Sequence, residues 1–238
     1  MLDHAGVSIL WRDNNSDSKG VADRVAFEDF RSPEVNPVCD EECRDVGMLA
    51  GLPEFIDAQD DGDILIVLHQ MGSHGPAYYK RYPEAFRVFL PSCDTNQLDS
   101  CSESEIGNSY DNTILYTDHF LGQVIELLRG YDDRFETVML YASDHGESLG
   151  ESGLYLHGLP YWLAPDAQTR VPVILWFGRN YYDVDVDDMR QLSDEPLSHD
   201  NLFHTLLGLF EIDSGVYDGS KDLLQKSRGL AARPNDFN

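Results

Sequence analysis

The sequence predicts an α/β fold: a mixed or mostly parallel central sheet flanked by helices, carried as a single domain over residues 1–238. Three observations predict it. Short β-rich apolar runs alternate with stretches of helical periodicity, as layered α/β domains require. The length of 238 residues, 42% of them hydrophobic and 11% aromatic, suffices for one full core and is short for two. Strand-like runs also open into polar loops, and in open α/β sheets that carboxyl edge is where ligands bind.

Val7–Trp11 reads as the first strand and runs into the polar loop Arg12–Lys19. Ile64–Leu68, bounded by acidic residues and Gly62, predicts a buried strand opening into His69–Pro76. Ile106, Tyr110, Ile114, Thr117, Leu121, Val124 and Leu128 recur at three- and four-residue steps, one face of a long amphipathic helix closed by Gly130. Thr137–Ala142 is a third strand, ending at Ser143-Asp144-His145-Gly146. Val171–Phe177 is a fourth, with Pro172 suited to its start. A later helix, capped by Ser198 or Asp200, is expected to bury Leu202, Leu206 and Leu209 or Phe210. Beyond about Gly219 little core-forming pattern remains, and the tail is expected to be partly loose.

Seventeen Lys and Arg against 43 Asp and Glu give a net charge of −26. No basic footprint is available to neutralise phosphates, which argues against a nucleic-acid partner. Docking on an anionic lipid face by basic residues is disfavoured for the same reason. The acidic balance reads as a solvated surface. The longest apolar stretch, Val171–Phe177, falls far short of the roughly 20 residues that span a bilayer. No charged start followed by an apolar run marks a secretion signal, and the first residues lead almost at once into strand-like sequence.

Four cysteines form two local pairs, Cys39 with Cys43 and Cys93 with Cys101. Three connectivities are open, and neighbour pairing is the simplest. A four-thiolate zinc site would prefer tighter spacing. Disulfides would place the chain in an oxidising compartment.

Asn15, Lys19, His74, Asp144 and His145 all fall just beyond strand ends. Asp144-His145 offers adjacent oxygen and nitrogen donors. Neighbours on a regular strand point to opposite faces, so both reach one ion only where the strand stops. Gly146 is expected to let the backbone make that turn. Such a pair suits zinc. Taken alone the dipeptide is a weak signal, more often a helix-capping Asp beside a surface His.

Longer blocks surround it. Tyr141-Ala-Ser-Asp-His-Gly-Glu-Ser-Leu-Gly-Glu151 is followed by Leu154-Tyr-Leu-His-Gly-Leu-Pro-Tyr161. Upstream stand Trp11-Arg-Asp-Asn-Asn-Ser-Asp-Ser-Lys-Gly20 and His69-Gln-Met-Gly-Ser-His-Gly-Pro-Ala-Tyr-Tyr-Lys-Arg-Tyr-Pro83. Tyr110-Asp-Asn-Thr-Ile-Leu-Tyr-Thr-Asp118 lies between. In this order the blocks resemble the bacterial phosphoethanolamine transferases, of the sulfatase-like branch of the alkaline-phosphatase superfamily. The resemblance runs from about His4 to beyond Leu207. The Gly-Ser-His-Gly-Pro block is most like the lipid A-modifying members, the mobile colistin-resistance enzymes included.

The resemblance implies an alkaline-phosphatase-like sheet and a zinc-dependent enzyme with one zinc or two. Asp144 and His145 would be ligands of the catalytic zinc. His74 and His157 would line the pocket, as ligands of a second zinc or as donors to the phosphate and leaving group. Asn15 and Lys19 would contact the phosphoryl group or its ethanolamine head, and Glu147 would sit near that head or behind the metal. The implied reaction moves phosphoethanolamine from phosphatidylethanolamine to a lipid A phosphate through a covalent Thr intermediate. The implied location is the periplasmic face of the inner membrane, and the cysteine pairs match two of the family's periplasmic disulfides. The family's nucleophilic Thr and an acidic zinc ligand precede the first matched block. The chain is therefore expected to be an N-terminally truncated, monomeric catalytic domain, inactive alone and membrane-associated only through helices upstream. The rivals are a sulfatase- or phosphatase-type hydrolase and a non-catalytic fragment. His69, His119, His199 and His204 read as structural.

Overall fold

A computed structural model describes residues 1–59, 62–191 and 195–228. The chain divides into two compact units, one of residues 8–127 and 140–174, the other of residues 1–7, 128–139 and those from 175 onward.

In the larger unit, β1 (Ser8–Asp13) lies between β2 (Ala26–Asp29) and β3 (Ile64–His69), both parallel to it. Asp13 pairs in register with Asp29 on one side and His69 on the other, so the three carboxyl ends stand abreast at one edge. The short β2 carries no sequence signal of its own. Every residue of β3 is half-buried rather than buried as expected, because β3 is an outer strand of this sheet, paired on one side by β1. Leu52 and Ile56 are the buried i, i+4 pair of α1 (Leu52–Asp57).

Helix α2 runs Glu103–Arg129, with Gly130 immediately beyond. Its start is a capping box: Ser102 Oγ accepts from Glu105 N at 3.3 Å while Ser102 N donates to Glu105 Oε2 at 2.8 Å. Ile106, Leu121 and Val124 are buried as expected, but Ile114 is 47% exposed. The buried face is turned toward Ser109, Asn112 and Thr113. The reason is polar: Ser109 Oγ accepts from Cys93 N at 2.7 Å, and Asn112 Oδ1 accepts from Val88 N and Phe89 N at 2.9 and 2.8 Å. Those bonds satisfy backbone donors of the 88–93 segment, which apolar side chains could not do. Cys39 is bonded to Cys43 and Cys93 to Cys101. Cys93 packs in a cluster with Tyr78, Leu98 and Ile106.

Strand β4 (Val138–Ala142) ends at the Asp144 turn. Then β5 (Ser148–Leu149) and β6 (Tyr155–Leu156) form an antiparallel ribbon with Ser148 opposite Leu156. That register sets Glu147 beside His157. The short α3 (Asp166–Thr169) precedes β7 (Val173–Phe177), which pairs with β4 and begins just after Pro172.

The other unit holds α4 (Val186–Gln191) and α5 (Asp200–Leu209). Neither expected residue is the N-cap, which is His199 without a side-chain cap bond; Ser198 Oγ accepts from Asp200 N at 3.3 Å just before it. The fully buried positions of α5 are Thr205, Leu207 and Gly208, while Leu202, Leu206, Leu209 and Phe210 are half-buried. The tail sets this face: Thr205 Oγ1 accepts from Leu223 N at 3.0 Å, and a Cβ on Gly208 would lie 2.2 Å from Asp222 Oδ2. Residues 219–228 pack against α5, with Leu224 and Ser227 fully buried and Arg228 paired to Asp222 at 2.8 Å. The rest of the tail, 229–238, lies outside the described residues. Among the described residues no helix is long and apolar enough to cross a membrane.

Candidate active site

The edge where β1 and β3 end is organised by one buried carboxylate. Asp13 accepts from Trp11 Nε1 at 3.2 Å, from Asn15 N at 2.8 Å and from His69 Nδ1 at 2.8 Å. Asn15 is thereby fixed on the turn, and its Nδ2 donates to Gln70 O at 3.0 Å, at the root of the His74 loop. His69, read from the sequence as structural, is this Asp13 partner. Lys19 is different: its side chain is 75% exposed and pairs with Asp17 at 3.5 Å.

Three histidines from three loops form a row. The His145 and His157 ring centroids are 3.6 Å apart, and His157 meets His74 edge-on at 6.4 Å. Each ring is oriented through Nδ1. His74 Nδ1 lies 2.8 Å from Gly75 O, His145 Nδ1 lies 2.9 Å from Gly146 O, and His157 Nδ1 lies 2.9 Å from Glu147 Oε1. Carbonyl and carboxylate oxygens only accept, so each of these bonds is donated by Nδ1–H, which leaves Nε2 as the ring nitrogen free of them. Metal-binding and proton-transferring imidazoles are held in this way.

Asp144 projects into solvent, its side chain 82% exposed, with Oδ2 3.7 Å from His145 Nε2. Two ligands of one tetrahedral zinc, at bonds of ~2.0–2.1 Å, stand ~3.3–3.4 Å apart. Asp144 and His145 are close to that spacing. Ligand atoms of His145, Glu147 and His157 also lie within 4.8 Å of one another. Glu147, however, is buried with both oxygens engaged, Oε1 by His157 and Oε2 by the Tyr78 hydroxyl at 3.2 Å. Its geometry suits a group that orients His157 better than one that coordinates an ion. Burial, and then the Glu147 charge, hold the Tyr78 phenol well above its ordinary pKa, so it stays a donor. Tyr78 was not singled out by the sequence, although it stands inside the His69–Pro83 block.

Gly146 is required for a reason other than the one expected. Its φ is not in the left-handed region, but a Cβ there would lie 2.1 Å from the backbone oxygen of Ala167. Its N–H donates to Gln168 O at 3.0 Å, clamping the turn between Asp144 and Glu147 against α3.

The chain is similar to known proteins along most of its length. The sequence profile of the family described as Sulfatase matches residues 1–212. The chain is 48% identical over 218 residues to the phosphatidylethanolamine transferase Mcr-1 of Escherichia coli, covering 89% of this chain and 39% of that protein. The soluble domain of lipooligosaccharide phosphoethanolamine transferase A from Neisseria meningitidis superposes with a TM-score of 0.90 at 41% identity, over 95% of this chain and 69% of that one. The C-terminal periplasmic domain of EcEptC from Escherichia coli, in complex with Zn, shares the fold with a TM-score of 0.74 at 21% identity, over 94% of this chain and 64% of that one. The chain spans 39 to 43% of the length of the first curated relatives it matches.

Proposed function

We infer that this chain, which belongs to the sulfatase family and within it to the phosphoethanolamine transferases, carries the metal site and pocket of an enzyme that moves phosphoethanolamine from phosphatidylethanolamine to a lipid A phosphate. The observation that carries the reading is the row His145–His157–His74 beside Asp144, each imidazole held through Nδ1 with Nε2 as its reactive face. The relatives' names support the donor and the acceptor class. The paired disulfides support the periplasmic face of the inner membrane as its location.

The donor set fits zinc, with an imidazole nitrogen and a carboxylate oxygen at ligand spacing. When bound by Asp144 and His145, zinc supplies Lewis acidity that favours an ionised hydroxyl nucleophile and offsets charge on the phosphoryl oxygens. The chain's own residues do the remainder. Asn15, joined by Lys19, binds the phosphoryl group or the ethanolamine head. His157, oriented by Glu147, takes a proton on Nε2 and passes it to the leaving oxygen, and His74 presents its Nε2 to the same pocket as a ligand for a second zinc. In this reading a Thr oxygen displaces diacylglycerol, and a lipid A phosphate oxygen then takes the phosphoethanolamine from that Thr.

Mass spectrometry of lipid A from cells expressing the complete reading frame that encodes this chain tests the proposal. Lipid A heavier by one phosphoethanolamine is expected. Unmodified lipid A beside well-expressed protein, or phosphoethanolamine released to water, contradicts it.

A further inference from the structure

His74 ends the loop Gln70–His74, and the segment just after the Cys39–Cys43 disulfide grips that loop. Asp45 is buried, and its two oxygens take two successive backbone donors, Met71 N on Oδ1 at 2.9 Å and Gly72 N on Oδ2 at 3.0 Å. Asn14 Nδ2 adds a third bond to Oδ1 at 2.8 Å while also donating to Cys43 O at 3.0 Å. Gly72 has φ +53°, a left-handed turn that presents neighbouring N–H groups to one anion. Both ends of the carboxylate are used, so the loop is fixed in rotation as well as in position.

The same loop is held from its other side. Arg81 Nε donates to the His74 carbonyl at 2.6 Å, and Arg81 Nη1 is paired with Glu42, inside the ring closed by Cys39 and Cys43. Burial pushes the Asp45 carboxyl up, against the Asn14 amide and the two backbone donors that pull it down. A neutral acceptor would avoid that desolvation, and an asparagine has nearly the same size. Asparagine, though, offers one oxygen, and its NH₂ would face a backbone N–H.

We propose that Asp45 is a positioning residue for His74, with Arg81 as its counterpart across the loop. Together they set the backbone from which the His74 ring donates Nδ1–H to Gly75 O and turns Nε2 toward the pocket. Only the kinetic consequence rests on the transferase reading; the ring's tautomer does not.

The test pairs Asp45→Asn with Arg81→Lys, so that a second variant carries the reading if the first does not fold. In ¹⁵N-labelled chain carrying its zinc, long-range imidazole spectra of the wild type are expected to show His74 as a single Nδ1–H tautomer. In each variant whose circular dichroism is native, the Nε2–H tautomer is expected to appear beside it. In enzyme from the complete reading frame, kcat is expected to fall about 10- to 100-fold with KM within about twofold, as for a group misplaced by ~1 Å. Folded variants that keep the pure Nδ1–H form overturn the proposal, whatever their activity. So does full kcat in both. Wild-type enzyme that transfers nothing counts against the transferase reading, and the tautomer ratio still decides this one.

Discussion

Replacing Asp144 by alanine is expected to lower transfer to lipid A by roughly 100-fold or more while leaving the melting temperature within about a degree of the wild type. The side chain is 82% exposed, and its partners are its own neighbour's N–H and, at 3.7 Å, the His145 ring. Surface groups of that kind usually contribute within ~0.5 kcal/mol of stability. If Asp144 is a zinc ligand, its removal leaves His145 with too few partners to hold the ion. Substitutions even one shell further out typically cost 10–100-fold in metal affinity or activity. Loss of activity with an unmoved melting curve is thus the signature of a ligand. Lipid A mass spectrometry together with thermal unfolding reads both. Retained transfer in Asp144→Ala would remove the residue from the site.

Gly146→Ala should fail in the opposite manner, losing stability and activity together. The added Cβ would meet the backbone oxygen of Ala167 at 2.1 Å, and a backbone oxygen cannot rotate away as a side chain could. The turn or α3 must move, at a cost of about 1–3 kcal/mol for forced overpacking. Because His145 and Glu147 flank the glycine, the displacement reaches the metal-side imidazole and the carboxylate that holds His157. A shift of ~1 Å there can cost ~100-fold in rate. Chemical denaturation should place the midpoint of Gly146→Ala below the wild type, with transfer reduced in step. A variant as stable and active as the wild type would mean that the turn is not clamped as described.

Strands with a long apolar run announce themselves, and Ser8–Asp13, Ile64–His69, Val138–Ala142 and Val173–Phe177 lie where the sequence places them to within a residue or two. Strand β2 does not, because Ala26–Asp29 is short and half charged. It is a strand by virtue of its register with β1 and the bond from Arg12 Nε to Glu28 at 2.6 Å. The buried faces of α2 and α5 depart in part from their apolar stripes for one shared reason. Periodicity finds apolar stripes, whereas Asn112 and Thr205 are buried by bonds to chain segments far away in sequence. The same limit governs the candidate site. His74, Asp144, His145, Glu147 and His157 stand in legible blocks, so they could be named. The bond from Tyr78 to Glu147 spans 69 positions, and the grip of Asp45 on Met71 spans 26; neither leaves a mark on local spacing.

The central claim is that Asp144 and His145 hold the metal while Glu147 orients His157 beside it. Anomalous diffraction at the zinc edge, from crystals of the zinc-loaded protein, tests this most directly. The account predicts a peak about 2.0–2.1 Å from both His145 Nε2 and an Asp144 oxygen, with Glu147 still accepting from His157 Nδ1. A peak seated between Glu147 and His157 with Asp144 turned to solvent, or no peak near His145, would contradict it.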